Sequence, residues 1–482
     1  MRVLWLKMKI NYNMSNKTKI IATIGPSSDH AHLINKLIKN GMNVARINMA
    51  HKSTNKVVGD LVETIRNESK KLNKHVSIMM DIAGPKIRVD LSNISNEEIE
   101  ITKGYVYSLG FSKMNDIPIN LDLSFKKIDE LNAFVKIDDG KISFKILSVK
   151  NNILKVKAIN DGLIKSNKGV NFPGVHLKVP SLTEDDKKNI KLGVKLGIDW
   201  FALSFVRASS DFNEFIDLFK DKKHTIPVIA KIEKPEAIEN LDSIIDVFDG
   251  ILIARGDLGV EMPLSKLPII QKNIINKCRI QMKPVIIATQ ILESMIHESI
   301  PTRAEVNDVA NAVYEQVDAV MLSGETAIGE YPIETVQMMY KIISNVESEY
   351  DDYHNLKNDN RIKNTRYAIG QAVKTITKQI EIDAIVVMTE TGSTSKIVSY
   401  FRPEVDIFSL SPSMRVCNQM SLLWGVTSLK VENYLSTDEM LYNAKNILLK
   451  NKLMKTNQTF VMTAGVPVGI AGTTNMLKIE KI

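Results

Sequence analysis

The chain is poor in cysteine. Among 482 residues only Cys278 and Cys417 carry thiols, far apart and without metal-ligand spacing, which excludes a disulfide framework and fits a reducing, cytoplasmic setting. No apolar run approaches the roughly 18 residues that a membrane-spanning helix needs, so no membrane partner is expected. Residues Met1 to Asn13 combine Arg2, Lys7 and Lys9 with a short apolar stretch but lack a proper signal-peptide core or a small-residue cleavage site. They read as a disordered extension or a start codon assigned too early. The formal net charge is +8, yet no basic stripe interleaves with stacking aromatics, so nucleic acid is not the expected partner and phosphate-bearing small molecules fit the charge better.

What is present is a succession of short β-branched runs. Lys19 to Ile24, Asn43 to Ile47, Val76 to Asp81, Trp200 to Phe205, Pro227 to Ile232, Gly250 to Ala254, Pro284 to Ala288 and Ala319 to Leu322 are mostly separated by amphipathic patterns such as Asp29 to Asn40 and Thr302 to Gln316. Eight β/α units in succession predict a closed (β/α)8 barrel, a TIM barrel over residues 14–88 and 178–354, with any active site at the carboxyl ends of its strands. The third and fourth runs lie far further apart than a βα connection requires. Turns at Asp138-Asp139-Gly140, Lys150-Asn151-Asn152 and Asp161-Gly162 predict a small antiparallel β domain inserted over 89–177, placed to act as a lid. A polar stretch at 355–364 reads as a linker. Residues 365–482, with runs such as Ala384 to Thr389, Val405 to Leu410 and Thr459 to Thr463, predict a C-terminal α/β domain.

Two of the barrel runs end on charge, in Ala230-Lys231-Ile232-Glu233 and Ala254-Arg255-Gly256-Asp257. Residues two apart on an extended chain point the same way. Lys231 and Glu233 should therefore converge, with Asp257 meeting them from the next strand. A cation beside two carboxylates suits a divalent metal and a phosphorylated, acidic substrate; a surface ion-pair cluster is the plainer alternative.

Asn43-Val44-Ala45-Arg46, Gly84-Pro85-Lys86-Ile87-Arg88, Lys231-Ile232-Glu233, Ala254-Arg255-Gly256-Asp257-Leu258-Gly259, Met321-Leu322-Ser323-Gly324-Glu325-Thr326 and Pro301-Thr302-Arg303-Ala304-Glu305 occur together. The first five, in chain order, together with the last closely resemble the pyruvate kinase family, from about Lys17 to the C-terminus. The resemblance implies a glycolytic phosphotransferase that moves the phosphoryl group of phosphoenolpyruvate to ADP, giving pyruvate and ATP. It also implies a homotetramer.

By the same resemblance Glu233 and Asp257 would hold Mg2+, with Mn2+ as an alternative, and Lys231 would neutralise charge on the phosphoryl group in flight and on the enolate. Arg46 would grip the substrate phosphate, and Arg255, Gly256, Asp257 and Thr289 would line the substrate, Thr289 near its methylene carbon. Arg88, Lys168, Asn48 and His51 would serve the nucleotide phosphates. Many members of the family use K+, and here Asn48 and Asp81 match its ligand pattern while Ala50 and Ile82 replace the usual serine and threonine. Lys86 stands where the K+-dependent group has glutamate, so activity without K+ is expected, the lysine supplying the positive charge.

The run Thr389-Glu390-Thr391-Gly392-Ser393-Thr394-Ser395 follows a strand and precedes a helical pattern. Its hydroxyls and amides could cradle a phosphate, or could simply cap the helix. It resembles the family's effector loop, which implies a phosphorylated effector held by Thr389, Thr391, Gly392, Ser393, Thr394 and Ser395. Two other readings remain open here: a carbon–carbon lyase that stabilises an enolate on a barrel, against which Arg88, Lys168 and the inserted domain argue, and a non-catalytic binding or scaffold protein.

Overall fold

The computed structural model describes residues 16–50, 54–92, 97–121, 133–175, 177, 179–219, 226–349, 364–467 and 474–482. The extension at 1–13, His51 and linker residues 355–363 lie outside them.

Eight parallel strands close a barrel: β1 (Lys19–Ile24), β2 (Met42–Asn48), β3 (Ser77–Ile82), β4 (Trp200–Leu203), β5 (Val228–Ile232), β6 (Gly250–Ala254), β7 (Val285–Ala288) and β8 (Ala319–Leu322). Each neighbours its sequence neighbour, and β1 pairs with β8 from Lys19↔Ala319 to Ala22↔Leu322. All but the ends of these strands are buried on both faces, which is why they read as continuous apolar runs rather than alternating ones. Outward residues such as Ile20, Ile78, Phe201 and Ile253 pack on the surrounding helices. Inward residues Ile21, Val44, Met79, Ile229, Leu252, Ile286 and Met321 fill the interior, where Leu422 of the C-terminal domain joins them.

β4 is shorter than its sequence pattern predicts. Phe205, the last residue of that run, has left the strand with φ +57. A positive φ on a bulky residue is unfavourable, and it aims the Phe205 amide at the site described below. The helix after β7 starts where the motif at Thr302 suggests: Thr302 and Glu305 form a reciprocal cap at the first turn of Arg303–Tyr314.

Between β3 and β4 the chain builds the inserted domain. It has a two-stranded sheet, Glu98–Ile101 with Gly162–Lys165, and a six-stranded sheet around Phe144, Val135, Ile137, Leu154 and Val156. The expected turns at Asp138-Asp139, at Asn151-Asn152 and before Gly162 all join strands, the first two through residues at positive φ. Pairing is antiparallel except at one edge, where Ile117–Pro118 runs parallel to Val106–Gly110. There Asp116 accepts from the amide and hydroxyl of Ser108 and folds the intervening loop back on the strand.

The C-terminal domain carries a sheet in the order β11-β10-β9-β12-β13, with β9 Ala384–Met388, β10 Asp406–Ser411, β11 Val426–Lys430, β12 Thr459–Gly465 and β13 Thr474–Lys481. Only β13 is antiparallel to its neighbour. Asn364, counted in the linker by composition, instead caps the helix Thr365–Gln379 by accepting from the Tyr367 amide at 2.9 Å.

Candidate active site

The carboxyl ends of β2 to β6 gather a compact ionic network. Arg46, from β2, donates from Nε to Asp81 Oδ2 at 2.7 Å and from Nη1 to Thr23 Oγ1 at 2.8 Å. Among the described residues its Nη2 carries no hydrogen bond, which leaves half of the guanidinium fork open to an anion. Asp81, next to last in β3, also meets Lys231 Nζ at 3.2 Å. Lys231, from β5, reaches Glu233 Oε1 at 2.9 Å and Ser204 Oγ at 2.7 Å as well. As the spacing predicts, Lys231 and Glu233 point to one spot. They are 7% and 1% exposed, so a solvated surface ion pair does not describe them.

Burial penalises every charge here, and the partners decide the outcome. For Lys231, desolvation is outweighed by Asp81 and Glu233, and its pKa lies above the ordinary lysine value. For Asp81, desolvation is outweighed by Lys231 and Arg46, and its carboxyl titrates below the usual range. Glu233 is pushed up, first by burial and then by the nearby Asp257, against the pull of Lys231. Its Oε2 accepts the out-turned Phe205 amide at 2.8 Å.

Asp257 sits in the first turn of the short helix Arg255–Glu261 that follows β6. Its Oδ1 meets Lys86 Nζ at 3.3 Å. Lys86 also lies 5.9 Å from the centre of the Phe205 ring, within cation–π range, and its Cε is 3.1 Å from where a Cβ on Gly169 would stand. The ammonium is thus directed at Asp257. Gly84, at φ +67, makes the turn that brings Lys86 in, and a Cβ there would stand 3.1 Å from the Ser204 carbonyl oxygen. The donor set suits Mg2+. Among the described residues no group of three or more His, Cys, Asp or Glu could form a full metal cage, while Glu233 and Asp257 are close enough to repel. Two carboxylates, with substrate completing the shell, are what Mg2+ accepts.

Arg255 and Thr289 are brought to the same rim but are engaged locally. Arg255 forms a two-point pair with Asp308 at 2.8 and 2.6 Å and donates to the Thr289 and Gln290 carbonyls at 2.9 and 3.0 Å. The Gly256 amide donates to Thr289 Oγ1 at 2.6 Å, and that hydroxyl donates to the Ala288 carbonyl at 2.6 Å. Thr289 itself is at φ +70. Arg255 therefore supports the turn that presents Gly256 and Thr289.

The nucleotide candidates lie at the root of the inserted domain. Arg88 bridges to Gly169 and donates from Nη1 to the Asn167 carbonyl at 2.8 Å, and Lys168 pairs with Asp138 at 2.8 Å. The domain rests on the helix that carries Asp257: Lys136 Nζ donates to the Val260 carbonyl at 2.7 Å and Asn171 Nδ2 to Glu261 Oε1 at 2.7 Å. Asn48 pairs with Asp81 across β2 and β3, and its Oδ1 accepts the Ala50 amide at 3.1 Å. Ile82 packs in the outer core of the barrel.

The hydroxyl-rich loop is elsewhere, ahead of helix Ser393–Tyr400. Three of its hydroxyls are already paired: Thr389 Oγ1 accepts the Gly392 amide at 2.9 Å, Thr394 meets Thr474 at 2.6 Å, and Ser395 accepts from Ser409 at 2.8 Å. Thr391 and Ser393, bonded to each other at 3.2 Å, face outward with Gly392 at φ +80 between them. Sequence reasoning missed Ser204, the Phe205 amide and Asp308. Ser204 had a signal, a hydroxyl at the end of an apolar run, whereas Asp308 had none.

Comparison with known proteins decides the family. The pyruvate kinase barrel-domain family matches residues 15–336 and the pyruvate kinase alpha/beta-domain family residues 367–480. The chain belongs to the pyruvate kinase family. Pyruvate kinases of Staphylococcus aureus strains MRSA252, USA300 and NCTC 8325 are each 39% identical to it over 473 residues, covering 97% of this chain and 80% of theirs. As in the family, the chain is a phosphotransferase. Among the described residues no helix is long and apolar enough to cross a membrane.

Proposed function

We propose that the barrel mouth transfers the phosphoryl group of phosphoenolpyruvate to ADP, and that it does so without K+. The observation that carries this reading is Lys231, buried and held charged between two carboxylates beside a half-open Arg46. The reaction breaks the bond between phosphorus and the enol oxygen and forms one to a terminal oxygen of ADP; the enolate then takes a proton on its methylene carbon and leaves as pyruvate. Glu233 and Asp257 would hold Mg2+, which when bound supplies positive charge to the phosphoryl oxygens.

Arg46 binds the phosphoryl oxygens through its free Nη2. Lys231 has three hydrogens and three partners, so an incoming oxygen replaces the longest contact, the 3.2 Å one to Asp81. Asp81 keeps Arg46 and Ser204 when that happens. The ammonium then neutralises the charge that passes from the phosphoryl group to the enolate, an electrostatic role. Thr289 holds the Gly256 amide, and its hydroxyl would relay the final proton once released from the Ala288 carbonyl. Arg88 and Lys168 draw the ADP phosphates to the root of the lid. A homotetramer, and a phosphorylated effector at Thr391 to Ser393, belong to the same proposal.

Independence of K+ follows from charge. Arg46, Lys231 and Lys86 offset Asp81, Glu233 and Asp257, three against three. A glutamate at position 86 would lower the total by two, and one K+ would return only half of that. The test is pyruvate formation from phosphoenolpyruvate and ADP with Mg2+, with and without K+ at matched ionic strength. Equal rates are expected, and Lys86→Glu should lower the K+-free rate about tenfold or more while making the enzyme respond to K+. Activity only with K+ would keep the transfer and overturn the role of Lys86. No activity from folded protein would favour the lyase or non-catalytic readings.

A further inference from the structure

Away from the barrel mouth, a cleft of about 320 Å³ opens between the amino end of the barrel and the C-terminal domain. That volume falls at the low end of the roughly 300–1,000 Å³ of small-molecule sites. Its floor is Trp200 at the start of β4, and Met420 and Leu423 form an apolar wall. The indole is fixed by a hydrogen bond of 3.1 Å from Nε1 to the Gln419 carbonyl. Lys396, half-buried on helix Ser393–Tyr400, reaches into the cleft 5.9 Å from the centre of the Trp200 ring. Among the described residues its ammonium forms no ion pair.

The charge in the cleft narrows what could fill it. Lys283 lies near enough to feel both Lys396 and Asp249, but it is turned away, donating to the Phe248 carbonyl at 2.6 Å. Asp249 lines the cleft as well and is held by its Oδ2, which accepts the Val228 amide at 2.9 Å. An unpaired cation draws an anion in, and a fixed carboxylate on the same cleft disfavours a second negative charge. Apolar walls and an indole floor favour a flat apolar body.

We propose that this cleft binds a small organic monoanion with a flat apolar body, in chemical class an aromatic carboxylate, its anionic end on Lys396 and its ring between Trp200 and the Met420–Leu423 wall. The site is independent of the chemistry read at the barrel mouth. It borders Thr391 and Gly392 of the hydroxyl-rich loop, so competition between naphthoate and phosphate is what separates it from the phosphate cradle proposed there.

The test is calorimetric titration of the full chain with 2-naphthoate, neutral 2-naphthol and inorganic phosphate. One-to-one binding of naphthoate is expected. Lys396→Met should weaken it at least about tenfold, the loss of one charge-assisted contact, and the neutral naphthol should be weaker by a similar factor. Phosphate should not displace naphthoate. Asp249→Asn, which keeps an acceptor for the Val228 amide, should tighten naphthoate binding. Absence of saturable binding, a loss below about threefold in folded Lys396→Met, or displacement by phosphate would overturn the proposal.

Discussion

Lys231 and Lys19 are buried lysines of one barrel, and they titrate in opposite directions. Lys231, at the carboxyl end of β5, has two carboxylates in contact and is pushed up. Lys19, at the amino end of β1, donates to the Val426 carbonyl at 2.9 Å and is lowered by burial to about 8, with Glu347 and Asp406 pulling only weakly against it. Around Lys19 the amino end is closed. Leu422 enters the barrel interior, and Arg402 joins the C-terminal domain to Asp318 at 3.0 Å. Around Lys231 the carboxyl end stays open: the neighbouring Lys86 and Asp257 side chains are 30% and 26% exposed. A buried cation held charged by carboxylates, at the open end of a barrel, is available for chemistry. One held by a neutral carbonyl at a sealed end anchors two domains.

The largest expected effect falls on the open end. Lys231→Met should lower the rate of pyruvate formation by about a thousandfold, the scale of losing one preorganised electrostatic group. Circular dichroism should show the fold retained. A rate within tenfold of the unsubstituted protein would mean that the charge at this end is structural too. Next comes Leu422→Ala at the sealed end. It should cost about 3 kcal/mol in urea unfolding, typical of a leucine removed from a packed interior. The rate of the surviving folded protein should change less than threefold, a small step on the free-energy scale. If Leu422→Ala slowed the reaction as much as Lys231→Met, the contrast between the two ends would fail.

How much of this could be read in the sequence follows from the range of the interactions. Each barrel strand is an apolar run ended by a charge or a turn, a local pattern, and the starts and ends fall close to those expected. Lys231 and Glu233 converge through strand geometry, which is local as well. The Arg255–Asp308 pair and the Ser204–Lys231 contact join residues far apart in the chain, so no periodicity reports them. Phe205 looks like a continuing strand because nothing in its neighbours announces a positive φ. β13 went unread because its face alternates weakly between exposed and half-buried residues. Leu422 is one of two adjacent leucines, and only the fold tells which of them plugs the barrel.

An effect no larger than that of Leu422→Ala belongs to Asp199, a carboxylate at the sealed end. Its Oδ2 accepts Arg66 Nη2 and the Ile78 amide, both at 2.7 Å, while its Oδ1 is buried with no partner among the described residues. Burial pushes its pKa up to about 6 despite Arg66. The folded protein therefore binds this proton more tightly than the unfolded chain does. The stabilisation is fully present below the unfolded value near 4 and is lost as pH rises through about 6. Asp199→Asn does not titrate and keeps an acceptor for the Ile78 amide, and other groups cancel in the difference between the two proteins. In urea unfolding the asparagine form should gain on the natural one by up to about 3 kcal/mol between pH 4 and 7, then hold steady. A difference that is flat with pH, or that runs the other way, would place Asp199 with the charge-stabilised groups of the open end.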